Sequence, residues 1–280
     1  MYLGAHMSIA GGLHMSVQLG DSIGCTAIQL FTKSSNRWIS KELTQEDILL
    51  FKDGWAESGV EKIAAHTGYL INLANPTENW QKSMDSMDSE IRRAQQLGIR
   101  YLVLHPGSHL GQGEKDGIRR IADSLNTLVG RYPEYEVKIL LETAAGQGTN
   151  LGYRFEHIAE ILEKLDLRDR YGVCFDTCHV FSAGYDLRSQ EAYNQTFDSF
   201  DKVIGLENLD LIHLNDSKTE LGSRRDRHES IGEGELGIEP FRLIMNDQRL
   251  KNIPMVLETP KDDGLESDRK NLDILRNLIG

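Results

Sequence analysis

This sequence predicts an α/β protein folded as a TIM (β/α)8 barrel, in one domain over residues 1–280. Three observations support this. Short apolar runs recur eight times along the chain. Amphipathic helical patterns lie between them. The length is close to the roughly 250 residues that such a barrel normally uses.

The runs fall at 2–6, 27–31, 62–66, 101–105, 138–142, 171–176, 209–213 and 254–258. Most are continuous rather than alternating, as expected of parallel strands covered on both faces. The first run is followed by SIAGG. The structural rival, an open doubly wound sheet, more often places a G-x-G-x-x-G turn after an early strand. Between the third and fourth runs, Trp80, Met84, Met87, Ile91 and Ala94 recur at steps of four and three. That spacing puts them on one helix face. Ile118, Ile121, Ala122 and Leu125 repeat the pattern after the fourth run, and Phe155, Ile158, Ile161, Leu162 and Leu165 after the fifth. Tyr193, Phe197, Phe200 and Ile204 form a further apolar face after the sixth. No linker or low-complexity tract divides the chain.

Bulk properties narrow the function. No apolar run reaches the 18 or so residues that a membrane-spanning helix needs, and MYLGAHMSIAGG has no basic segment or apolar signal core. A cytoplasmic protein with no membrane partner is expected. The cysteines, Cys25, Cys174 and Cys178, are odd in number and widely spaced, which argues against a disulfide framework. Cys174 reads as core filler, and Cys178 sits among polar residues where a ligand role stays open. The formal charge of -12 argues, taken alone, against a nucleic-acid partner. Either the substrate is small and neutral, or bound cations reverse the local sign at the site.

The ends of the runs carry the chemistry. His66, His105, Glu142, Asp176, His213 and Glu258 each close one run, spaced by one strand–helix unit. In a barrel they converge on the C-terminal rim, where barrel active sites lie. His6 and Gln29 hold the equivalent places on the first two runs. One such residue alone is more often a hydrogen-bonded rim residue. Several unpaired carboxylates packed together repel and lose hydration, and bound cations remove both penalties. Mixed imidazole and carboxylate suits zinc, and also manganese or iron, whereas calcium and magnesium take mainly oxygen. Two further segments add donors. DTCHVFSAGYD places His179 three residues beyond Asp176, and RRDRHESIGEGELG places Asp226 and His228 two apart. Side chains two apart in an extended stretch point the same way and can grip one ion together. A solvated loop of mixed charge is the alternative for that pair.

These motifs resemble those of the endonuclease IV family of zinc-dependent abasic-site endonucleases. The matching segments are AHTGYLINL (65–73), LHPGSHLG (104–111), LETAAGQGTNLG (141–152), DTCHVFSAGYD (176–186), HLNDSKTELGSRRDRHESIGEGELG (213–237) and LETPKDD (257–263). FTKSSNRW (31–38) and GAHMSIAGG (4–12) extend the likeness to the N-terminus. Ala144 departs from the threonine often found there, beside a ligand position rather than on one.

The resemblance implies a three-zinc centre. His66, His105 and Glu142 would hold the first ion. Glu142, Asp176, His213 and Glu258 would hold the second, and His179, Asp226 and His228 the third. Glu142 bridges the first two and is the residue expected to matter most in catalysis. Manganese or iron could substitute for zinc. Cys178 is absent from this set and is expected to pack beneath it. His109 is expected to orient a ligand or touch DNA backbone, His6 to support the ligands, and His14 and His157 to be structural or exposed.

The implied enzyme is a phosphoric diester hydrolase of the deoxyribonuclease IV type, acting in base excision repair. It hydrolyses the bond 5′ to an abasic site in double-stranded DNA and leaves 3′-hydroxyl and 5′-deoxyribose phosphate ends. Arg37, Tyr69 and Leu70 occupy the positions that intercalate or contact DNA. Lys33, Arg37, Lys218, Arg224, Arg225 and Arg227 are basic residues expected near the rim, able to track phosphates on an acidic protein. A monomer is the default. A metal-dependent sugar isomerase or epimerase is the alternative enzyme, since it shares strand-end ligands but needs no Asp226/His228 pair. A DNA-binding protein without catalysis is the alternative outside enzymes.

Overall fold

Alternating apolar runs and helical patterns become alternating strands and helices. A computed structural model describes residues 1–262 and 264–280, so Asp263, the last residue of the LETPKDD segment, lies outside the described residues. The strands are β1 (Leu3–His6), β2 (Ala27–Phe31), β3 (Lys62–His66), β4 (Tyr101–Leu104), β5 (Lys138–Glu142), β6 (Tyr171–Asp176) and β7 (Leu209–His213). A short antiparallel pair follows, β8 (Asp216–Ser217) with β9 (His228–Glu229), before the last barrel strand, β10 (Met255–Leu257). The barrel closes in the order β1-β10-β7-β6-β5-β4-β3-β2, all parallel, as a (β/α)8 barrel. The doubly wound alternative is thereby excluded.

Three runs are shorter than expected at their ends. Pro106 follows His105 and Pro254 opens the last run. Proline has no amide hydrogen to extend a ladder, and Tyr2 stays outside β1. Gly4 is required where β1 meets β2, because a Cβ there would collide with the carbonyl oxygen of Ala27.

The helices lie outside the barrel. α1 (Leu13–Ser22), α2 (Gln45–Ala56), α3 (Asn79–Leu97), α4 (Glu114–Val129), α5 (Phe155–Glu163), α6 (Thr177–Ala183), α7 (Gln190–Val203), α8 (Glu239–Asn246) and α9 (Glu266–Asn277) follow in chain order. Their local signals are clear. Thr44 and Asp47 form a capping box at the start of α2. α3 ends at Gly98, left-handed at φ 77. The apolar faces expected from spacing are buried: Met84, Met87, Ile91 and Ala94 on α3, Ile118, Ile121 and Leu125 on α4, Phe197 and Phe200 on α7. They pack against outward-facing strand residues such as Ile28, Leu30, Leu102, Leu104 and Phe175.

Inside the barrel is a second, separate cluster: Ala27, Ala64, Val103, Leu140, Cys174, Leu211 and Val256, one from each barrel strand except β1. Cys174 fills core here, as expected. The strand repeat is two residues, so the next inward position on each strand lies one layer nearer the C-terminal rim. Those positions are Gln29, His66, His105, Glu142, Asp176, His213 and Glu258. An apolar plug therefore carries a polar layer directly above it.

Candidate metal centre

Among the described residues, the polar layer and the segments beside it gather into three donor sets made only of imidazole and carboxylate. His66, His105 and Glu142 form one, Glu142, Asp176, His213 and Glu258 a second, and His179, Asp226 and His228 a third. The nine residues expected as metal ligands are all present in these sets, and Glu142 belongs to two of them. The two oxygens of Glu142 divide between its sets. Oε2 lies 3.1 Å from His66 Nε2 and 2.8 Å from His105 Nε2, while Oε1 lies 3.0 Å from His213 Nδ1. His213 Nδ1 is also 3.1 Å from Glu258 Oε2 and 3.7 Å from Asp176 Oδ2. In the third set, Asp226 offers Oδ2 at 3.2 Å to His179 Nε2 and Oδ1 at 3.3 Å to His228 Nε2. Donors around a tetrahedral zinc, with bonds of about 2.0–2.1 Å, stand about 3.3 Å apart. The observed spacings bracket that value.

Local sequence explains how each donor is aimed. Asp176 ends β6 and caps α6, where its Oδ1 accepts the main-chain N–H of His179 at 2.8 Å. One carboxylate thus starts the helix that delivers the next ligand. Its other oxygen accepts from Asn215 Nδ2 at 2.7 Å. Asp226 and His228 sit at the foot of the loop between β8 and β9, with their side chains on the same side, as the two-residue spacing requires. The pair faces His179 rather than standing apart in solvent.

The imidazoles are oriented from behind. His66 Nδ1 donates to the carbonyl of Thr67 at 2.7 Å, His179 Nδ1 to that of Thr143 at 2.8 Å, and His228 Nδ1 to that of Glu258 at 3.0 Å. A carbonyl oxygen only accepts, so the proton sits on Nδ1 and the Nε2 lone pair is left free to ligate. The buried Nε2 atoms of His179 and His228 have no hydrogen-bond partner among the described residues. An unsatisfied buried polar atom costs about 1–3 kcal/mol. A bound cation would satisfy both atoms, and the donor set, imidazole mixed with carboxylate, suits zinc.

The charges support one another. Burial pushes the Glu142 carboxyl up, but the imidazoles of His105 and His213 outweigh it and hold it well below the usual range. Glu258 follows the same pattern, with His213 overcoming burial, and Asp226 is lowered by His179 against burial. His179 and His213 are raised well above the ordinary imidazole value, because nearby carboxylates overcome burial. Exposure varies across the centre. Glu142, Asp176 and His213 are fully buried, whereas the His105 and Asp226 side chains are 40% and 42% exposed. A substrate therefore meets the first and third sets first. Beside His66 and His105 a cavity of about 210 Å³ opens between Tyr69, Asn72, Ser108 and Asn150.

Of the expected DNA-contacting residues, Tyr69 lines this cavity. Arg37 is exposed, Tyr69 is 61% exposed and Leu70 is 37% exposed. Tyr69 rests edge-on against Phe31, with ring centres 5.3 Å apart. Lys218, Arg224, Arg225 and Arg227 are also exposed. Lys33 is a correction. It is buried, 3.2 Å from Glu90 Oε1, and cannot reach a phosphate. His109 Nδ1 accepts the N–H of Gly113 at the start of α4 and so braces that loop. His157 is buried and structural, as expected, accepting the N–H of Gly152. His6 does support a ligand, at 3.3 Å from Glu258 Oε1. Cys178 packs beneath the third set, its Sγ 3.7 Å from the carbonyl of Arg227, and burial pushes its thiol up to about 12. Asn215 carries no advance signal. A neutral amide offers no metal-ligand signature, and its placement in HLND beside His213 is the available clue.

Comparison with known proteins agrees with this geometry. Residues 17–278 match the family described as a xylose isomerase-like TIM barrel. The chain is 52% identical over 279 residues to the probable endonuclease 4 of Geotalea daltonii, covering 99% of this chain and 98% of that protein. The crystal structure of endonuclease IV from Thermus thermophilus superposes with a TM-score of 0.89 at 33% identity, over 99% of this chain and 98% of that one. A D-tagatose 3-epimerase-like protein superposes at 0.76 with 19% identity, over 99% and 97% of the two chains, a likeness of fold alone. Half of its residues are shared with an endonuclease 4 across nearly the whole length, and the chain belongs to the endonuclease IV family.

Proposed function

We propose that this protein is a zinc-dependent DNA-repair endonuclease that hydrolyses the phosphodiester 5′ to an abasic site in duplex DNA. The observation that carries this reading is the pair of donor sets sharing Glu142, with a third set beside them at the mouth of the barrel. Bound zinc supplies the cationic stabilisation and the activated water that attack on an anionic phosphodiester requires at neutral pH. We assign three ions, one to each set, with the nine residues above as their ligands.

The chain's own groups do the rest. Glu142 holds two sets in fixed register through its two oxygens. His105 and Asp226, the exposed members, face incoming phosphate. Tyr69 and Leu70 are apolar wedges able to fill the gap where a base is missing. Extruding an abasic nucleotide costs little stacking, and the cavity beside His105 receives it. Arg37 and the exposed basic residues of the β8–β9 loop follow the flanking phosphates, so a net charge of -12 is compatible with DNA binding. We read the protein as a monomer. A sugar epimerase reading leaves the Asp226/His228 pair and the exposed wedge without a role.

The test is incision of a duplex carrying a tetrahydrofuran abasic analogue, with and without a strong chelator. Single cuts 5′ to the analogue, abolished by chelation and restored by zinc, are expected. No incision by protein with a full metal complement would overturn the assignment.

A further inference from the structure

The polar layer above the barrel plug contains one residue that is neither an imidazole nor a carboxylate. Gln29 stands on β2 at the inward position above Ala27, in the same layer as the ligands, and is fully buried. Its side-chain hydrogen bonds, among the described residues, are all to the site and to His6 beside it. Oε1 accepts from His213 Nε2 at 2.9 Å. Nε2 donates to Glu258 Oε1 at 2.7 Å and lies 3.0 Å from His6 Nδ1.

This arrangement fixes its orientation. Turned over, the amide would set its oxygen against the Glu258 carboxylate, a repulsive contact, so that carboxylate fixes the observed orientation. Because Oε1 only accepts, His213 carries its proton on Nε2, and Nδ1 is the nitrogen turned toward Glu142, Asp176 and Glu258. His66, His179 and His228 work the opposite way. They present Nε2 and bond a main-chain carbonyl through Nδ1. A main-chain carbonyl cannot be removed by substitution, but the partner of His213 is a side chain.

We propose that Gln29 is a positioning residue for the four-donor set, setting which nitrogen His213 presents and tethering Glu258 through Oε1 so that Oε2 stands beside it. Resting on the zinc reading above, this makes the four-donor set depend on a residue of β2, a strand that supplies no ligand itself. Substitution behind a metal-binding histidine typically weakens metal affinity roughly 10–100-fold.

Two variants separate positioning from packing. Gln29→Met keeps the length and apolar volume but removes every hydrogen bond. Gln29→Glu keeps an acceptor for His213 but loses both donated bonds and sets a carboxylate against Glu258. Chelator-competition titrations of the full chain, with Co²⁺ absorption reporting the coordination of each site, read the effect. The expected result is one site weakened roughly 10–100-fold in both variants, with an altered Co²⁺ spectrum, while the site assigned to His179, Asp226 and His228 keeps its affinity. Equal weakening of all sites would show a merely structural role and overturn the proposal. So would wild-type affinity throughout both variants. Wild-type protein that takes up no metal at the four-donor set would instead overturn the zinc reading itself, and this inference with it.

Discussion

Lys33 Nζ lies 3.2 Å from Glu90 Oε1, and both side chains are 1% exposed. This buried pair fastens two rim loops to one helix. Lys33 also donates to the carbonyl of Arg37 at 3.1 Å and to Ser86 Oγ at 3.1 Å. Glu90, on α3, accepts from the Gly68 N–H at 3.2 Å and from Thr32 Oγ1 at 2.6 Å. The N–H of Tyr69 donates to the carbonyl of Ser35 at 3.0 Å, joining the same two loops directly. Arg37 and Tyr69, the residues we assign to DNA, are thus held as a unit from behind. Lys33→Met leaves Glu90 buried without its partner, a loss expected to cost about 3–5 kcal/mol. The double variant Lys33→Met/Glu90→Leu should recover much of that stability, since buried pairs are often replaceable by apolar residues. It should still bind abasic duplex with less preference over intact duplex. Denaturant unfolding and paired binding measurements check both parts, and an unchanged preference in the double variant would separate the pair from recognition.

Metal content follows from the donor sets. Gently purified protein should hold close to three metal ions per chain, chiefly zinc, by elemental analysis. Chelation should lower Tm, because a ligand bound only by the folded state stabilises it. Saturation at one ion with full nuclease activity would contradict the assignment of one ion to each set.

Tyr69 and Leu70 give a prediction about recognition. Replacing both with alanine should weaken binding to abasic duplex more than to undamaged duplex, with little change in zinc content, since neither residue belongs to a donor set. Equal weakening for the two duplexes would point to general backbone contact instead.

The metal-free protein should have its own pH profile. His179 and His213 have raised folded values, so their stabilising contribution is complete below the ordinary 6.5 and is lost as pH rises through those values. Glu142 and Glu258 have lowered folded values, so theirs is present above the ordinary 4.5 and is lost as pH falls. Chelated protein should therefore gain most from these groups in weak acid, between these two ordinary values. Zinc should shift the optimum upward, because its ligands must be deprotonated. Denaturant midpoints against pH, with and without zinc, measure this, and coincident profiles would count against the paired titration.

Much of this architecture can be read from residue order because the strand repeat is two. Once Ala64, Val103, Leu140, Cys174, Leu211 and Val256 point inward, the residues two places on must do so as well. All six of those are histidine or carboxylate. Asp226 and His228 are readable for the same reason. Lys33 misleads because a lysine after a strand looks like a rim cation. Its buried partner, Glu90, lies beyond the whole of α2 and β3, where local sequence gives no sign of it. Gln29 and Asn215 escape a firm role because a neutral amide acquires one only through the orientation of its oxygen and nitrogen, and that is a matter of tertiary neighbours.

Glu142→Gln tests most directly whether Glu142 joins two metal sites. The substitution keeps the side chain's size and one good oxygen donor but removes the charge and the second. His66 and His105 remain for the first set, and Asp176, His213 and Glu258 for the second. Metal loss should be partial and fall mainly on the first site. Abasic duplex should still bind through the third set, the basic loop and the wedge. The decisive measurement is single-turnover incision on a preparation whose zinc content and duplex affinity are measured together. The expected rate is lower by at least ~100-fold, as for removal of one strong transition-state interaction, with binding largely kept. Near-normal incision with the full zinc complement retained would contradict it.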